Sequence, residues 1–380
     1  MLLHYYDSNP NPAYRQISKY LRLLGEEVIV GSRAENDDMV FMDDECTIVS
    51  TVDRWQGDAG SRLGSMSKFR ALVFAIKVAI SIQSLKPDVV QLNRAHLDWY
   101  WILPLIVRRA KFVIDCRQVA VSAPPNGFFR RIRYELRKRS HIFLIKHVFC
   151  SASYLHVRGA QKELGIAWEK HAIVVPLGVD DNFFAHDSRV LPYSEPFRFL
   201  YLGGINRIRK LEILIKAADL LRDQVGERFT LTFVGPDKTH GYYQGVVDEM
   251  RLTSVVSFIN AVPYDEVPQL MCSYHVALAY VPDEPQDWEY QPTLKVLEYL
   301  AIGKPIIGSA KAPNRDVIFE KNGLLVENSP SAWQQSMGLI MSNPEVYSTY
   351  AQNANECRGG DSWMDVSRQY LNAYRKMVSR

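Results

Sequence analysis

Short apolar runs alternate with helical patterns along the chain, and this alternation constrains the fold more than any other feature of the sequence. The first run is Met1–Tyr6. A loop, a helical pattern over Ala13–Leu24 and a second apolar run at Glu27–Gly31 follow it. Short buried strands separated by helices are typical of a parallel sheet covered by helices on both faces. The sequence therefore predicts an α/β protein.

The alternation occurs in two series, with a polar segment between them. The first series continues through Val89–Leu92, Phe112–Asp115 and His147–Ser151, and it closes at Val174–Val179. The expected strands of the second series are Phe197–Leu202, Phe229–Gly235, Val255–Ile259, Val276–Tyr280, Pro305–Gly308 and Gly323–Val326. The segment Asp180–Pro196 is polar and contains two prolines, which is typical of a linker.

A length of 380 residues suits two domains better than one. We therefore predict two doubly wound, Rossmann-like domains that face a central cleft. The N-terminal domain covers residues 1–185 and the C-terminal domain covers residues 196–357. A final helix over residues 361–380 is expected to cross back to the N-terminal domain.

Composition and charge exclude several other classes of protein. Hydrophobic residues make up 47% of the chain and charged residues 23%, which are ordinary values for a globular protein. A net charge of +3 does not indicate nucleic-acid binding. The five cysteines are widely spaced and form no CxxC motif, so we expect a reducing compartment and neither a disulfide framework nor a zinc site. Without a signal peptide or an apolar run of about 18 residues, the expected location is the cytoplasm.

The strongest candidate for chemistry is the stretch Gln291–Ser309. Pro292 and Thr293 suit the first turn of a helix, whose free N–H groups and positive dipole end favour a diphosphate. Glu298, further along the same helix, is placed to accept hydrogen bonds from ribose hydroxyls. The alternative is an ordinary amphipathic helix in which Lys295 and Glu298 form a solvated pair.

A second candidate is the segment Leu200–Ala217. An expected strand ends at Leu202, two glycines turn the chain, and Arg207, Arg209 and Lys210 follow before the next helix. Cations at the carboxyl end of a strand can neutralise a diphosphate leaving group. The alternative is a solvated run of charges.

A third candidate is Phe128–His147, which contains seven Lys or Arg residues, one Glu and several large apolar residues. A basic amphipathic helix of this kind indicates binding to an anionic membrane surface. The alternative is a solvated helix whose apolar side belongs to the core. Nucleic-acid binding is disfavoured, since no RNA-binding signature accompanies the cluster.

These segments together resemble glycosyltransferase family four, whose members are retaining enzymes of the GT-B fold. In that resemblance Arg209 falls on the phosphate-binding Lys of the family and Gly204 replaces its Arg. Glu298 matches the second Glu of the E-x7-E region, and Tyr290 falls on the first, with Glu289 one residue away. His275 replaces the Asp of a Y-x-x-A-D-V pattern. The P-T-x-K-x-x-E-Y variant resembles enzymes of bacterial exopolysaccharide and cell-envelope pathways.

The resemblance implies a retaining, hexosyltransferase-like enzyme that moves a sugar from a nucleotide-sugar to a glycan or a polyprenyl-linked acceptor. The donor is a UDP- or GDP-sugar, and neither a metal nor another cofactor is required. The implied catalytic residues are Arg209, Lys210 and Glu298. The implied donor-binding residues are Gly203, Gly204, Arg207, Val262, Pro263, Tyr290, Gln291, Pro292, Thr293, Leu294 and Glu298.

The polar loops that follow the N-terminal strands are expected on the acceptor side, and the enzyme is expected at the inner face of the plasma membrane. The acceptor-side residues are Ser8, Asn9, Asn93, Arg94, His96 and Arg117. Two alternatives remain open. One is a nucleotide-sugar epimerase or hydrolase on the same fold, and the other is a non-catalytic scaffold in an envelope assembly.

Overall fold

The computed structural model describes residues 2–7, 12–33, 39–42, 76, 79–80, 82–93, 101–117, 127–186, 190–284, 286–290, 293–319 and 321–379 of the chain. It divides into two units. Unit 1 comprises Met1–Gly178 together with Trp363–Arg380, and unit 2 comprises Val179–Ser362.

Unit 1 is built on a seven-stranded sheet in the order β3-β2-β1-β4-β5-β6-β7. The strands are β1 Leu2–Asp7, β2 Glu27–Arg33, β3 Met39–Met42, β4 Val89–Asn93, β5 Lys111–Asp115, β6 Ser151–Tyr154 and β7 Ala172–Val174. All neighbouring strands are parallel except β2 and β3, which pair antiparallel at one edge of the sheet. Helices of this unit that precede unit 2 in the chain include α1 Pro12–Leu23, α2 Leu103–Ile106, α3 Phe128–His147 and α4 Val157–Leu164.

Two strand predictions in unit 1 require correction. The expected strand at His147–Ser151 is wrong, because α3 continues to His147 and β6 begins only at Ser151. His141 and Ile145, four residues apart on α3, are buried, so the apolar residues before His147 follow a helical rather than a strand period. The expected strand at Val174–Val179 is displaced, since β7 ends at Val174.

Unit 2 contains a six-stranded sheet in the order β10-β9-β8-β11-β12-β13. The strands are β8 Phe197–Leu202, β9 Phe229–Val234, β10 Val256–Ile259, β11 Val276–Ala279, β12 Ile306–Ser309 and β13 Gly323–Val326. Every neighbouring pair is parallel, and four of the strands are buried at nearly every position. The two sheets confirm the predicted α/β class with two Rossmann-like domains.

The helices of unit 2 cover this sheet. They are α5 Asp181–Ala185, α6 Glu212–Val225, α7 Tyr242–Glu249, α8 Val267–Cys272, α9 Leu294–Ile302, α10 Ala312–Arg315, α11 Pro330–Ser342 and α12 Pro344–Glu356. Helix α5 lies inside the segment expected to be a linker. Asp180 caps it by accepting a hydrogen bond from Asn182 N at 3.1 Å, and Phe183 is fully buried.

Two loops of unit 2 approach each other closely at the carboxyl ends of β8 and β9. Gly235 has a φ of +152°, and a Cβ atom placed on it would lie 2.1 Å from the carbonyl oxygen of Gly203. Glycine is therefore required at Gly235, since any side chain would displace the turn that begins the loop after β8.

The last helix, α13 Trp363–Val378, belongs to unit 1. Trp363, Tyr370 and Tyr374 on this helix are buried, and Arg375 forms an ion pair with Glu26 at 2.9 Å. The chain leaves unit 1 after Gly178 and returns at Trp363. Next to these crossings, Val179 N donates a hydrogen bond to Asp361 O at 2.9 Å, so the two crossing points are neighbours.

Candidate functional site

The site begins with the order of strands in unit 2. From β8 the chain proceeds outward through β9 and β10, whereas β11, on the other side of β8, leads to β12 and β13. The loops that follow the adjacent strands β8 and β11 therefore lead the chain toward opposite sides of the sheet order. Ligands of open α/β sheets bind in the crevice at this switch point, beyond the carboxyl ends of the strands.

The loop after β8 is held in one conformation by its own backbone and by two tyrosines. Asn206 begins a 3₁₀ turn, Arg207–Arg209, and accepts a hydrogen bond from Arg209 N at 3.1 Å. Lys210 then takes the left-handed conformation, and its carbonyl accepts a hydrogen bond from the Tyr280 hydroxyl at 3.2 Å. Tyr243 accepts a hydrogen bond from Leu211 N at 3.1 Å. The two expected catalytic cations thus lie on an ordered turn.

Arg209 is the cation that this turn brings over the loop after β11. Its Cζ atom lies 4.3 Å from the centre of the Trp288 ring, a cation–π contact. Its Nε atom is buried and has no hydrogen-bond partner among the described residues. Arg207 differs, because its guanidinium lies on Tyr242, 3.5 Å from the ring centre. Among these cations, Arg209 therefore has the buried donor that is available to a ligand.

Helix α9 brings Lys295 and Glu298 into the unit. The alternative of a solvated pair is wrong, because these residues are 9% and 6% exposed. Lys295 Nζ donates to the carbonyl of Tyr280 at 2.6 Å and lies 4.3 Å from the centre of the Tyr201 ring. Burial, and then the charge of Arg209, lower the pKa of Lys295 well below its usual value.

Glu298 lies one turn further along α9. Its carboxylate accepts a hydrogen bond from the Tyr264 hydroxyl at 2.8 Å. Burial raises the pKa of Glu298 to about 7, and the bond from Tyr264 lowers it in part. A carboxyl group with this pKa changes protonation near neutral pH, and it can accept or donate a hydrogen bond accordingly.

Thr293 precedes α9, and Leu294 is the first residue of the helix. The Thr293 backbone has the extended conformation of an N-cap, yet its side chain makes no capping bond. The buried Thr293 Oγ1 atom has no partner in the part of the chain that the structure describes. The expected donor residues Gln291 and Pro292 lie outside the described residues.

The remaining expected donor residues lie at the same edge of the sheet. Gly203 and Gly204 form the turn after β8, and Val262 and Pro263 precede the 3₁₀ turn Tyr264–Glu266. Val262 packs against the hydrophobic core, whereas Pro263 is exposed. A cavity of about 290 Å³ opens at the carboxyl ends of β8, β9 and β10. It is lined by Ile205, Gly235, Asp237, Tyr243, Gln244, Phe258, Ile259 and Asn260.

The positions that depart from the family pattern have defined surroundings. Tyr290 is half-buried, while Glu289 is turned toward Lys311, with Oε2 3.4 Å from the lysine Nζ atom. His275 is a packing residue. It stacks on Phe197 at 4.4 Å, its Nδ1 atom accepts a hydrogen bond from Arg198 N at 2.9 Å, and its Nε2 atom lies 3.1 Å from Pro192 O. Burial lowers the pKa of His275 to about 4.

Most expected acceptor-side residues, namely Ser8, Asn9, Arg94 and His96, lie outside the described residues. Asn93 is the last residue of β4. Arg117 is described, and its Nε atom donates to the Asp115 carboxylate at 2.8 Å. Asp115 is buried and also accepts a hydrogen bond from Ser153 at 3.0 Å. Arg117 therefore contributes to a polar network in unit 1.

Sequence reasoning did not identify four residues that shape this site: Tyr201, Tyr264, Trp288 and Lys311. Each acts through a contact with a residue distant in sequence, and no local motif marks it. The one available signal was the single tryptophan in the polar loop after β11. Among the described residues, no group of His, Cys, Asp and Glu is arranged to hold a metal ion. None of the described helices meets the length and apolarity needed to cross a membrane.

The fold and the switch-point loops define a two-domain, Rossmann-like protein of the GT-B type. Residues 196–343, which make up most of unit 2, match the family "Glycosyl transferases group 1". The match is confined to this part of the chain and covers less than half of its length.

Two curated relatives are similar over part of the chain. The Bacillus subtilis protein TuaH, named as a glycosyltransferase of teichuronic acid biosynthesis, is 29% identical over 209 residues, which are 52% of this chain and 50% of TuaH. D-inositol 3-phosphate glycosyltransferase of Corynebacterium glutamicum is 23% identical over 187 residues, or 47% of this chain and 43% of the relative. The chain thus spans about half the length of these relatives.

Solved structures resemble the chain over nearly its whole length. Sucrose-phosphate synthase of Thermosynechococcus elongatus has a TM-score of 0.71 at 17% identity and covers 100% of this chain and 99% of its own. A Rickettsia africae glycosyltransferase has a TM-score of 0.74 at 15% identity, and the match covers 100% of this chain and 99% of the Rickettsia chain. Anabaena HepE in complex with UDP-glucose has a TM-score of 0.70 at 15% identity, and the match covers 99% of this chain and 100% of HepE. At these identities the similarity establishes the fold alone.

Proposed function

We propose that the protein is a retaining glycosyltransferase that binds a UDP- or GDP-sugar at the switch point of unit 2. The observation that carries the proposal is a set of three buried polar atoms that have no hydrogen-bond partner among the described residues. They are Arg209 Nε, Thr293 Oγ1 and the Tyr201 hydroxyl. Buried polar atoms in proteins are normally paired, so three orphans from the elements of one crevice favour a polar ligand. The charge of Arg209 favours an anion.

The proposed chemistry follows from the charges at this edge. In glycosyl transfer the bond between the anomeric carbon and the diphosphate oxygen breaks, and negative charge develops on the departing diphosphate. Arg209, Lys210 and the amides at the start of α9 would stabilise that charge. The acceptor hydroxyl attacks the anomeric carbon on the face from which the diphosphate departs, and its proton passes to an oxygen of the departing diphosphate. Because fixed cations supply this stabilisation, we propose a reaction that does not require a metal ion.

Glu298 and the neighbouring cavity are assigned to the nucleoside. We propose that Glu298 bonds the ribose hydroxyls, with Tyr264 holding its carboxylate in place. The cavity at the ends of β8, β9 and β10 would receive the base. We further propose a hexose as the transferred sugar, which agrees with the UDP-glucose in the HepE complex.

We propose a glycan or a polyprenyl-linked intermediate of cell-envelope synthesis as the acceptor. The name of TuaH, which refers to teichuronic acid biosynthesis, supports this assignment. Ser8, Asn9, Asn93, Arg94, His96 and Arg117 remain the proposed acceptor side. Of these, Arg117 would act by holding Asp115 at the end of β5.

The surface of α3 supports peripheral binding at an anionic membrane. Its large exposed apolar residues are Phe128, Phe129, Ile132, Leu136 and Phe143. At 100° per residue they fall within an arc of about 100°, opposite the buried His141 and Ile145. Four of the seven Lys or Arg residues of α3 lie on the two sides of this arc, namely Arg131, Arg133, Arg137 and Lys138, and the helix has a single Glu. An apolar stripe flanked by cations fits the boundary of an anionic lipid layer.

Vesicle sedimentation tests the membrane assignment. We expect binding to phosphatidylglycerol vesicles, little binding to phosphatidylcholine vesicles, and loss of most binding in Phe129→Ser. Arg137→Gln should weaken binding about fivefold, because each cation near an anionic surface contributes about 1 kcal/mol. Ile166→Ser is the control, because Ile166 is 99% exposed and lies outside α3. Equal binding to both lipids, or a monomer–dimer change in Phe129→Ser, would contradict the proposal.

The function is tested by donor screening followed by transfer assays. UDP- and GDP-sugars should raise the thermal stability of the protein, by about 2.7 kcal/mol at 100 times the dissociation constant. Transfer to an acceptor should proceed in EDTA and should fall in Arg209→Ala and Glu298→Ala. Full activity in both variants would refute the site. Conversion of donor without acceptor would indicate the epimerase or hydrolase alternative, and absence of donor binding would indicate the scaffold.

A further inference from the structure

The loop that carries Trp288 is held at its start by Ser309, the last residue of β12, and by Asn328, which follows β13. Val281 N donates to Ser309 Oγ at 2.9 Å, at the end of β12. Asn328, beyond β13, donates to Val281 O at 2.7 Å and to the Asp283 carboxylate at 3.1 Å. The entry of the loop is therefore fixed to the sheet.

Lys311 fixes both the beginning and the end of the same loop. Its Nζ atom lies 2.7 Å from Asp283 Oδ1 and 3.4 Å from Glu289 Oε2. The lysine side chain is 15% exposed, against 66% and 41% for the two carboxylates. Burial alone would lower the pKa of Lys311, but the bond and charge of Asp283, followed by Glu289, raise it overall. Lys311 is thus a charged and largely buried anchor for two carboxylates of this loop.

The anchor is next to the aromatic ring that contacts Arg209. Glu289 follows Trp288 directly in the chain, and the Trp288 ring lies 4.3 Å from the guanidinium carbon. One series of contacts therefore runs from Lys311 through Glu289 and Trp288 to Arg209. Lys311 makes this connection from the beginning of α10, beyond β12.

We propose that Lys311 is a positioning residue for the donor site, which holds Trp288 against Arg209 and so orients the guanidinium toward the donor diphosphate. The role of Arg209 in this statement rests on the proposed function. Lys311 also forms ion pairs with two carboxylates of the loop. Without it, Asp283 and Glu289 would be left unneutralised on the loop that contacts Arg209, and they would compete with an anionic ligand for its charge.

The position of Trp288 can be measured without any donor. The chain has seven tryptophans, so the contribution of Trp288 to acrylamide quenching is obtained by subtracting a Trp288→Phe variant from its parent. We expect Lys311→Met to increase the quenching of this one tryptophan, whereas Lys311→Arg should preserve the parent value. Arg228→Met is the matched control. Arg228 pairs with Glu195 just before β9 and β8, at the amino ends of the strands, whereas Lys311 lies beyond the carboxyl end of β12.

The consequence for the site is measured with UDP and GDP by calorimetry. Lys311→Met should weaken binding of whichever nucleotide the parent protein binds by about three- to tenfold. Trp288→Ala should weaken it similarly, and the double variant should bind no worse than Trp288→Ala alone. Such non-additivity is expected when one residue acts through another. With a sugar donor, the loss should appear in KM more than in kcat.

The outcomes separate this inference from the proposed function. Unchanged quenching in Lys311→Met, or additive losses in the double variant, would overturn the positioning role. If quenching increases and the parent binds UDP or GDP with unchanged affinity in Lys311→Met, the loop is anchored but the donor site does not depend on it, which also overturns the inference. If the parent binds neither nucleotide, the proposed function fails, while the quenching result still decides whether Lys311 positions Trp288.

Discussion

At the scale of single residues, unit 2 contains two buried ionisable side chains whose pKa values are shifted in opposite directions. They therefore give the stability of the fold opposite dependences on pH. Glu298 has its pKa raised to about 7, whereas His275 has its pKa lowered to about 4. The unfolded chain protonates these groups near 4.5 and 6.5. Between those two values, raising the pH favours the folded state through His275 and disfavours it through Glu298, so the two contributions largely offset each other.

Glu298→Gln should stabilise the protein and weaken donor binding. Because the pKa of Glu298 is raised in the folded state, its protonated carboxyl contributes full stability below pH 4.5. That contribution is lost as the pH rises through 7. The variant should therefore gain about 2 to 3 kcal/mol at pH 8 and little at pH 4.5. Urea unfolding at both pH values measures this difference. Glu227→Gln, at an exposed position, should show no gain, and an equal gain at both pH values would disprove the explanation.

His275→Gln should remove a dependence of stability on acid. The folded pKa of His275 is below its unfolded value, so its neutral form stabilises the fold above pH 6.5, and that stability is lost as the pH falls through 4. The parent should lose up to about 3 kcal/mol over this window through His275. The variant should be less stable at pH 7 but should have a flatter profile. Parallel profiles in urea titrations would rule out His275 as the source.

Arg209→Ala should weaken binding of the donor nucleotide by roughly 10- to 100-fold, because hydrogen bonds to a charged group contribute about 1.5 to 3 kcal/mol. Lys216→Ala, an exposed lysine on α6, is the control for loss of charge alone. Calorimetry at two salt concentrations measures both. Equal effects of the two substitutions would show that only the net charge of the surface matters.

At the scale of elements, the close approach of two loops determines where the site forms. Gly235→Ala should destabilise unit 2 by about 3 kcal/mol or more, because the added Cβ would meet the Gly203 carbonyl. Gly245→Ala, within α7 and with nothing near its added Cβ, should instead stabilise by about 0.5 to 1 kcal/mol. Thermal unfolding of both variants tests this. Destabilisation of similar size in the two would contradict the role assigned to Gly235.

The elements were largely predictable from the sequence, because buried parallel strands are short apolar runs between turn residues. Phe197–Leu202 and Gly323–Val326 coincide with observed strands. The antiparallel edge strand β3 was not predicted, and the apolar residues before His147 are helical, since short runs do not distinguish the two periods. Glu298 and Arg209 could be placed on a helix and a loop. The contact of Arg209 with Trp288 could not be predicted, because it depends on β8 lying beside β11, which the sequence pattern does not specify.

At the scale of the whole molecule, each unit has its own core, and the final helix belongs to the first of them. Trp363→Ala should therefore destabilise unit 1 by about 3 to 5 kcal/mol, since Trp363 is buried at the start of α13. Hydrogen exchange should show faster opening of β1 and β4, with β8 and β11 protected as before. Arg368→Ala, on an exposed turn of the same helix, should leave both sheets unchanged. Equal loss of protection in both sheets would mean that the two units unfold as one.

The chain crosses from unit 1 to unit 2 after Gly178 and returns at Trp363, and its two crossings are neighbours, joined by the bond from Val179 to Asp361. Unit 2 is thus nested within the chain of unit 1, with its own ends side by side. A gene exchange that replaced the part proposed to bind the donor would need two crossovers, and both would fall at adjacent points of the structure. The proposed donor half could in this way be inherited separately from the half proposed to recognise the acceptor.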